Sequence, residues 1–527
     1  MKRKKDSRRP PPQSSQRWGP WLLIVMAVTL PALVVAPEAK ESFRLPKLLV
    51  TESLGLASLL FLAWRARGAK VDLRRFWRQP AVTAMLPLLA VASFGLLTSA
   101  HPLHVRQGLT SLWIGVACLV GWSLGLAAAE HRRVLVALLL PAGILSLIAI
   151  GQFHHLFEPF RFQNYVKDRI AITSLAGGPF DLAGYLVLPM LIAQAGILRV
   201  WRQGRRQLEV TGLGLVLACG IYAMALTQTL TAIAALTAAS LVLWLGLLPW
   251  RRVAAVTAVL LVLGGGLALG VGPLRERIAT KVESLTSGDI DNLLSGRLDG
   301  WSTALWMFRE HPLAGVGHGA YRAEFGSARL ALWEEGHRFY RRQHQTYFSN
   351  AHSEPLEVLA ESGLPGLMVL AWAIWQLLRQ PGRMSRASNP QDEPAFDRTE
   401  VALTWAGLTA LAVLSLANFP LRIALVAYPY LLLMSRILAP REVDEPPPAS
   451  TVKGRSPVWI LVPVLLAALV LQLRHAEGRL RASHQLAAVE QMTAQLARQG
   501  LLARRPLPPQ VRRLLESSAS GLREAAE

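Results

Sequence analysis

Apolar runs, each close to the length that crosses a bilayer, recur from one end of this sequence to the other. A membrane helix needs roughly 20 such residues. Inside lipid the backbone must satisfy its own N–H and C=O groups, which leaves helices and closed barrels as the spanning structures. The runs here are continuous and do not alternate in polarity, so barrel strands are excluded. Candidate spans lie near 21–36, 46–64, 81–98, 108–129, 134–153, 175–198, 208–226, 232–248 and 254–271, and, after a long polar stretch, near 356–378, 401–419, 421–437 and 458–473. The expected fold is all-α: a polytopic helical membrane protein with about 12–13 transmembrane helices and one large polar loop outside the membrane.

Composition enters where charge does. The 527 residues are 52% hydrophobic, yet the formal net charge is +22. No one-sided basic domain is visible, so no nucleic-acid partner is expected. The basic residues sit in short loops, where they set orientation and meet anionic lipid head groups. Arg65–Arg78, Glu130–Arg133, Arg199–Arg206, Trp250–Arg252 and Leu378–Arg386 all fall on the side of the basic N-terminus MKRKK. The positive-inside rule makes that side cytoplasmic and turns the stretch 272–353 and the loop 154–174 outward. The N-terminal run resembles a signal peptide, and repeated spanning favours its retention as a first anchor. Cys118 and Cys219 lie within apolar segments and read as small buried residues.

The domain plan that follows is a cytoplasmic basic N-terminus (1–20), N-terminal transmembrane helices (21–271), an outward-facing loop (272–355) that holds the candidate catalytic residues considered below, C-terminal transmembrane helices (356–473) and an amphipathic tail (474–527). In the tail Leu480, Leu486, Val489, Met492 and Leu496 recur at helical spacing. A membrane-surface helix is the simplest reading of it.

The polar stretch ends in NAHSEPLEVLAESGLPGL, residues 350–367. His352 stands where the loop meets the next helix. Ser349, Asn350 or Ser353 can cap that helix, and Pro355 suits its first turn. Free N–H groups there favour an anion, and an imidazole of ordinary pKa about 6.5 accepts a proton near neutrality. That combination fits group transfer from a phosphate leaving group to a hydroxyl. Arg297 begins SGRLDGW, and arginine provides the forked, always-charged contact that phosphate needs. Leu298, Trp301, Leu305 and Phe308 form an apolar stripe behind it, as for a helix lying on the bilayer surface. Arg169, with Lys167 nearby, precedes the Gly177–Gly178–Pro179 start of a span on the same face. Arg338, Arg341 and Arg342 form a further cluster suited to phosphate or acidic glycan.

Two tempting motifs carry less. GVGHG, Gly315–Gly319, lacks the strand and βαβ unit of a nucleotide loop and reads as a tight turn with glycine at positive φ. His311, His318, His337 and His344 match no metal-ligand spacing, so no metal is expected.

Taken together, W-x(9)-HPLAGVGHGAY and AHSEPLEVLAESGLPGL resemble the O-antigen ligase / Wzy-type polymerase superfamily of bacterial membrane glycosyltransferases. The strong match covers about 70 residues, Trp301 to Leu367. The resemblance implies a bacterial inner-membrane enzyme with no cofactor, a polyprenyl-diphosphate-linked glycan donor, and metal-independent, inverting transfer on the periplasmic face. The acceptor would be lipid A core, as in lipopolysaccharide biosynthesis, or a growing glycan in a polymerase. A protein hydroxyl is a third acceptor class. His352 matches the family histidine and Arg297 the arginine that meets the diphosphate; Arg169 falls near a further family arginine. Three departures stand out: GGPFDLAGY in place of G-x-x-N-P-N, TQTLT (Thr227–Thr231) in place of Ser-Arg-Gly, and HSEP in place of HNSY. The last puts Glu354 beside the histidine, as a candidate substrate-binding residue, a group that raises the histidine's basicity, or a helix cap. A lipid-linked glycan transporter is the competitor from another class. It would require ionisable residues in mid-span and paired halves, whereas the spans read as mostly uncharged.

Overall fold

The computed structural model describes residues 20–66, 76–156, 172–202, 207–337, 348–386, 397–439 and 458–498. Their regular structure is helical throughout. The helices before the polar stretch are α1 (Pro20–Thr29), α2 (Arg44–Arg65), α3 (Pro80–Thr98), α4 (Pro102–Gly125), α5 (Ala128–Ala137), α6 (Leu139–Phe153), α7 (Pro179–Arg202), α8 (Gln207–Thr227), α9 (Leu230–Leu247) and α10 (Trp250–Gly270). The polar stretch forms α11 (Gly272–Ser287), α12 (Ile290–Leu293), α13 (Leu298–Glu310) and α14 (Tyr321–Glu334). It is followed by α15 (Glu354–Arg386), α16 (Arg398–Ala417), α17 (Ala424–Ile437) and α18 (Val458–Arg498).

Ten helices among the described residues are long and apolar enough to cross a membrane, and two shorter apolar helices, Trp21–Ala32 and Ala424–Ile437, pack among them. The chain is a multi-pass helical membrane protein. Its centre is α7, buried without interruption from Asp181 to Ala195, and α17, buried over nearly its whole length. Small residues let helices approach in a medium where apolar side chains have no water to escape. Ala232, Ala235 and Ala239 of α9 and Ala402, Ala406 and Ala410 of α16 are all buried along one such seam.

Two expected spans are reshaped. The run 421–437 yields only the 14-residue α17, because Asn418 is extended and Pro420–Arg422 forms a 3-10 turn. Pro420 has no N–H with which to continue α16. The run 356–378 begins earlier, at Glu354, and breaks at Gly363, whose φ is +63°. The tail expected to start at 474 continues α18 without a break, and Leu480 packs beside Leu45, Leu49 and Ala476. The mid-spans are also less bare than the sequence suggests: Lys47 and Glu52 of α2 are each 2% exposed.

Contacts separate the bundle into two ends. At one, Arg65 meets Glu130, Arg132 and Arg436 meet Glu400, and Arg199 meets Asp397. At the other, Arg44 meets Asp181, Asn418 meets Thr231, and Lys40 meets Ser483. These are the groupings expected from counting spans between basic loops. The polar helices α11 to α14 join the second end.

Candidate active site

The turn 311–320 and the start of α15 form a clasp. Gly363 interrupts α15, which frees the carbonyls of Ala360 and Glu361. The N–H groups of Val316 and Gly317 donate to them, each at 2.9 Å, and the Leu364 N–H donates to the Pro312 carbonyl at 2.8 Å. A Cβ on Gly315, at φ +65°, would lie 2.2 Å from the Glu361 carbonyl carbon; one on Gly363 would lie 2.5 Å from the Pro312 oxygen. Both positions therefore need glycine for conformation and for space. Two motifs about 40 residues apart in sequence are thus one structural unit.

The clasp presents His352. The imidazole lies edge-on between Phe348, at 5.6 Å between ring centroids, and Phe419, at 5.0 Å. His352 has φ +56°, a region that a residue with a Cβ occupies at a cost. Glu357 holds the turn there: its carboxylate accepts from Asn350 Nδ2 at 2.8 Å and from the Ala351 N–H at 3.0 Å. The cap runs opposite to the one expected, with a helix carboxylate restraining the preceding loop. Gly300 of α13 closes the other side, where a Cβ would sit 3.2 Å from the Ala351 oxygen.

Arg297 stands at the N-cap of α13, donating to the Leu294 carbonyl and to Asn418 Oδ1, both at 3.3 Å. The predicted stripe is not the face on which α13 packs. Gly300, Thr303, Ala304 and Met307 are buried, while Leu305 is exposed. Small residues win that face because α13 lies close against α15. The Tyr321 hydroxyl pins it, donating to the Gly300 carbonyl at 3.0 Å, 2.9 Å from Thr303 Oγ1. Burial raises the Tyr321 pKa, so the phenol stays protonated.

Behind His352 lies a buried ion cluster. Arg422 reaches Glu361 at 2.6 Å, Glu357 at 3.1 Å and Glu354 at 3.7 Å. Burial pulls the Arg422 pKa down, but the three carboxylates more than reverse this and raise it. His318 Nδ1 lies 3.3 Å from Glu361. Glu354 also accepts from the Leu421 N–H at 2.9 Å, so it ties α15 to the turn before α17. Cysteine-free and dispersed, His311, His318 and His337 form no metal-holding group with other described residues.

The electrostatics of His352 follow from its surroundings. Burial depresses its pKa to about 4, aided by the charges of Arg297 and Arg44 and opposed by a hydrogen bond with Asn418. The sequence expectation of a value near 6.5 is therefore corrected: the imidazole is neutral well below pH 7. Its Nδ1 is buried without a hydrogen-bond partner, as is Trp301 Nε1 one helical turn beyond Arg297. A buried polar atom left unsatisfied is costly, so both point to a group that completes them.

Arg44 was not foreseen. It begins α2, pairs through Nε and Nη2 with Asp181 at 2.8 Å each, and lies over the Phe419 ring at 5.5 Å. A cavity of about 1100 Å³ runs from Arg44, Asp181, Asn350, Phe419 and Arg422 down between apolar residues of α3, α4, α15, α16 and α17. His352, which packs against the lining residue Phe419, and Arg297 are not part of its lining. The signals in sequence were NFPLR between two apolar runs and FRLPK at the head of another. Each reads as a chance polar break until the folded chain brings them together. Arg169, Arg338 and Arg341, with Lys167, Arg342 and His344, lie outside the described residues.

Comparison with known proteins agrees with the motif resemblance. Residues 215–371 match the family model described as O-antigen ligase. The matched segment holds Thr227–Thr231, Arg297, the clasp and His352; Arg44, Asp181, Asn418 and Arg422 fall outside it. No curated protein matches the chain.

Proposed function

Taking as premise that the chain carries an O-antigen ligase domain, we propose that it transfers a glycan from a polyprenyl-diphosphate carrier to a hydroxyl of lipid A core. The observation that carries this reading is His352: a neutral imidazole with an unpartnered Nδ1, beside the Arg297 guanidinium, at the end of a multi-pass bundle. The acceptor hydroxyl attacks the anomeric carbon, its proton passes to His352, and the bond to the diphosphate oxygen breaks with inversion. Arg297 meets the charge that develops on the departing diphosphate.

The depressed basicity of His352 has a use in this scheme. Without substrate, the Arg297 and Arg44 charges disfavour the imidazolium. A bound diphosphate offsets those charges and raises the basicity of the histidine as the reaction needs it. Proton acceptance is then tied to donor occupancy, and no metal is needed for either step. Because the site lies at the end opposite the basic loops, the reaction faces the periplasm of the bacterial inner membrane.

Lipopolysaccharide from cells expressing His352→Ala or Arg297→Ala in place of the wild type tests the proposal. Expected are uncapped lipid A core and accumulating polyprenyl-diphosphate-linked polymer, with protein levels unchanged. Full capping by both variants would sink the mechanism. Single-repeat caps on deletion of the protein would instead make the acceptor a growing glycan, as for a polymerase.

A further inference from the structure

Arg44 has a combination of properties that a purely structural arginine lacks. It enters the second end of the bundle from α2, far in sequence from the segment that matches the ligase family. Asp181, its partner, is buried, with a side chain only 2% exposed, whereas the Arg44 side chain is 48% exposed. Asp181 takes the Nε and Nη2 edge. A guanidinium has five N–H donors in a planar fork, so the Nη1 edge remains available on the side away from Asp181. Both residues line the 1100 Å³ cavity.

The position is also fixed on every side. Gly177, at φ +99°, approaches so closely that a Cβ would meet Phe43 at 2.3 Å, which locks the start of α7 against the residue preceding Arg44. Lys40 and Glu41, just upstream, donate their N–H groups to the backbone and hydroxyl oxygens of Ser483 on α18. The aromatic ring of Phe419 joins the two halves of the site: Arg44 lies over it and the His352 ring packs against it. A cation so oriented, exposed on one edge and sharing an aromatic neighbour with the proposed base, is poised for an anion and not for the pair alone.

We propose that Arg44 is a second guanidinium that contacts the donor diphosphate, with Asp181 as the positioning residue that aims it. This rests on the diphosphate-donor reading above. Arg297 then meets the diphosphate from the α13 side and Arg44 from the α2 side, with His352 and Phe419 between them. The apolar length of the cavity below Arg44 takes the polyprenyl chain.

The test is equilibrium binding of a polyprenyl diphosphate, with the matching polyprenyl monophosphate as comparison, to the full-length protein in detergent. Arg44→Ala alone would strand the Asp181 carboxylate, so the informative variant is the double Arg44→Ala/Asp181→Asn, which removes both charges. Expected is an at least tenfold loss of diphosphate affinity by the double variant, with its melting temperature close to that of the wild type. Arg44→Lys, paired with native Asp181, should recover part of the loss. Asp181→Asn alone should weaken binding less, because the cation remains and only its aim is relaxed. Wild-type affinity in the double variant would overturn the role of Arg44 while leaving the diphosphate-donor reading standing. Failure of the double variant to fold would make the pair a scaffold and would overturn it too. If the wild type shows no preference for diphosphate over monophosphate, the donor reading falls, and this inference with it.

Discussion

The two ends of the helix bundle are both laced with arginine–carboxylate pairs, yet the pairs differ in kind. At the basic end Arg436 and Glu400 are largely covered, but two of the pairs are partly exposed: the Arg65 and Arg199 side chains are 52% and 42% open to their surroundings. Such pairs are weak, because solvent screens them and long side chains lose entropy in forming them. At the site end Arg422 sits among three carboxylates that are nearly inaccessible. A buried charge without its partners is expensive, so here the pairs fix geometry. The exposed pairs at one end could be dispensed with; at the other, the largely buried Arg422 is a cation that its carboxylates could not lose.

The largest expected break in this contrast is Arg422→Ala. It leaves Glu354, Glu357 and Glu361 buried against one another, and loss of one partner from such a cluster costs about 3–5 kcal/mol. Thermal melting in detergent should drop by many degrees and transfer should vanish. Gly363→Ala should come next. It strains a positive φ and drives a methyl into the Pro312 carbonyl, and conformational strain of this kind costs on the order of 1–3 kcal/mol before the clash is counted. Melting should fall and transfer should be severely reduced, as the His352 loop shifts with the clasp.

Glu357→Gln is a subtler probe. The amide keeps the shape but weakens the restraint on Asn350 and Ala351. Transfer should fall by about 10- to 100-fold, as expected when the proposed base is loosely held, while the protein stays folded. The pH dependence sharpens the same point. The folded His352 pKa of about 4 lies below the unfolded value of about 6.5. Between those values the unfolded chain binds the extra proton, so the stability contributed at this position is complete above about pH 6.5 and is lost as pH falls toward 4. Melting curves of wild type and His352→Gln should therefore show a difference that changes over this window and levels off above it. An unchanging difference would place the titration elsewhere.

Arg199→Ala, at the basic end, should have the smallest effect, below about 1 kcal/mol, with transfer unchanged. A drop as large as that of Arg422→Ala would erase the distinction between the ends.

Much of this was legible before folding. The apolar runs located the spans, and the basic loops sorted their connections into two sets that do gather at opposite ends. His352, Arg297 and the GVGHG turn were singled out by residue type and place, and residues 215–371 match the family that the motifs resembled. The sequence reading failed where one residue has meaning only through another distant one. Nothing in the sequence singled out Arg422; in the fold three glutamates of α15 close around it. Asp181 looked like a departure from a family pattern until Arg44 arrived from 137 residues away.

The sequence by itself determined the class of protein and which loops gather at which end of the bundle, because hydrophobic length and charge bias act locally along the chain. Only the tertiary structure decided the protonation state of His352. Its protonation depends on burial between Phe348 and Phe419 and on the charges of Arg297 and Arg44. Desolvation and Coulomb interactions depend on distance in space, and distance in space is what a linear pattern does not contain.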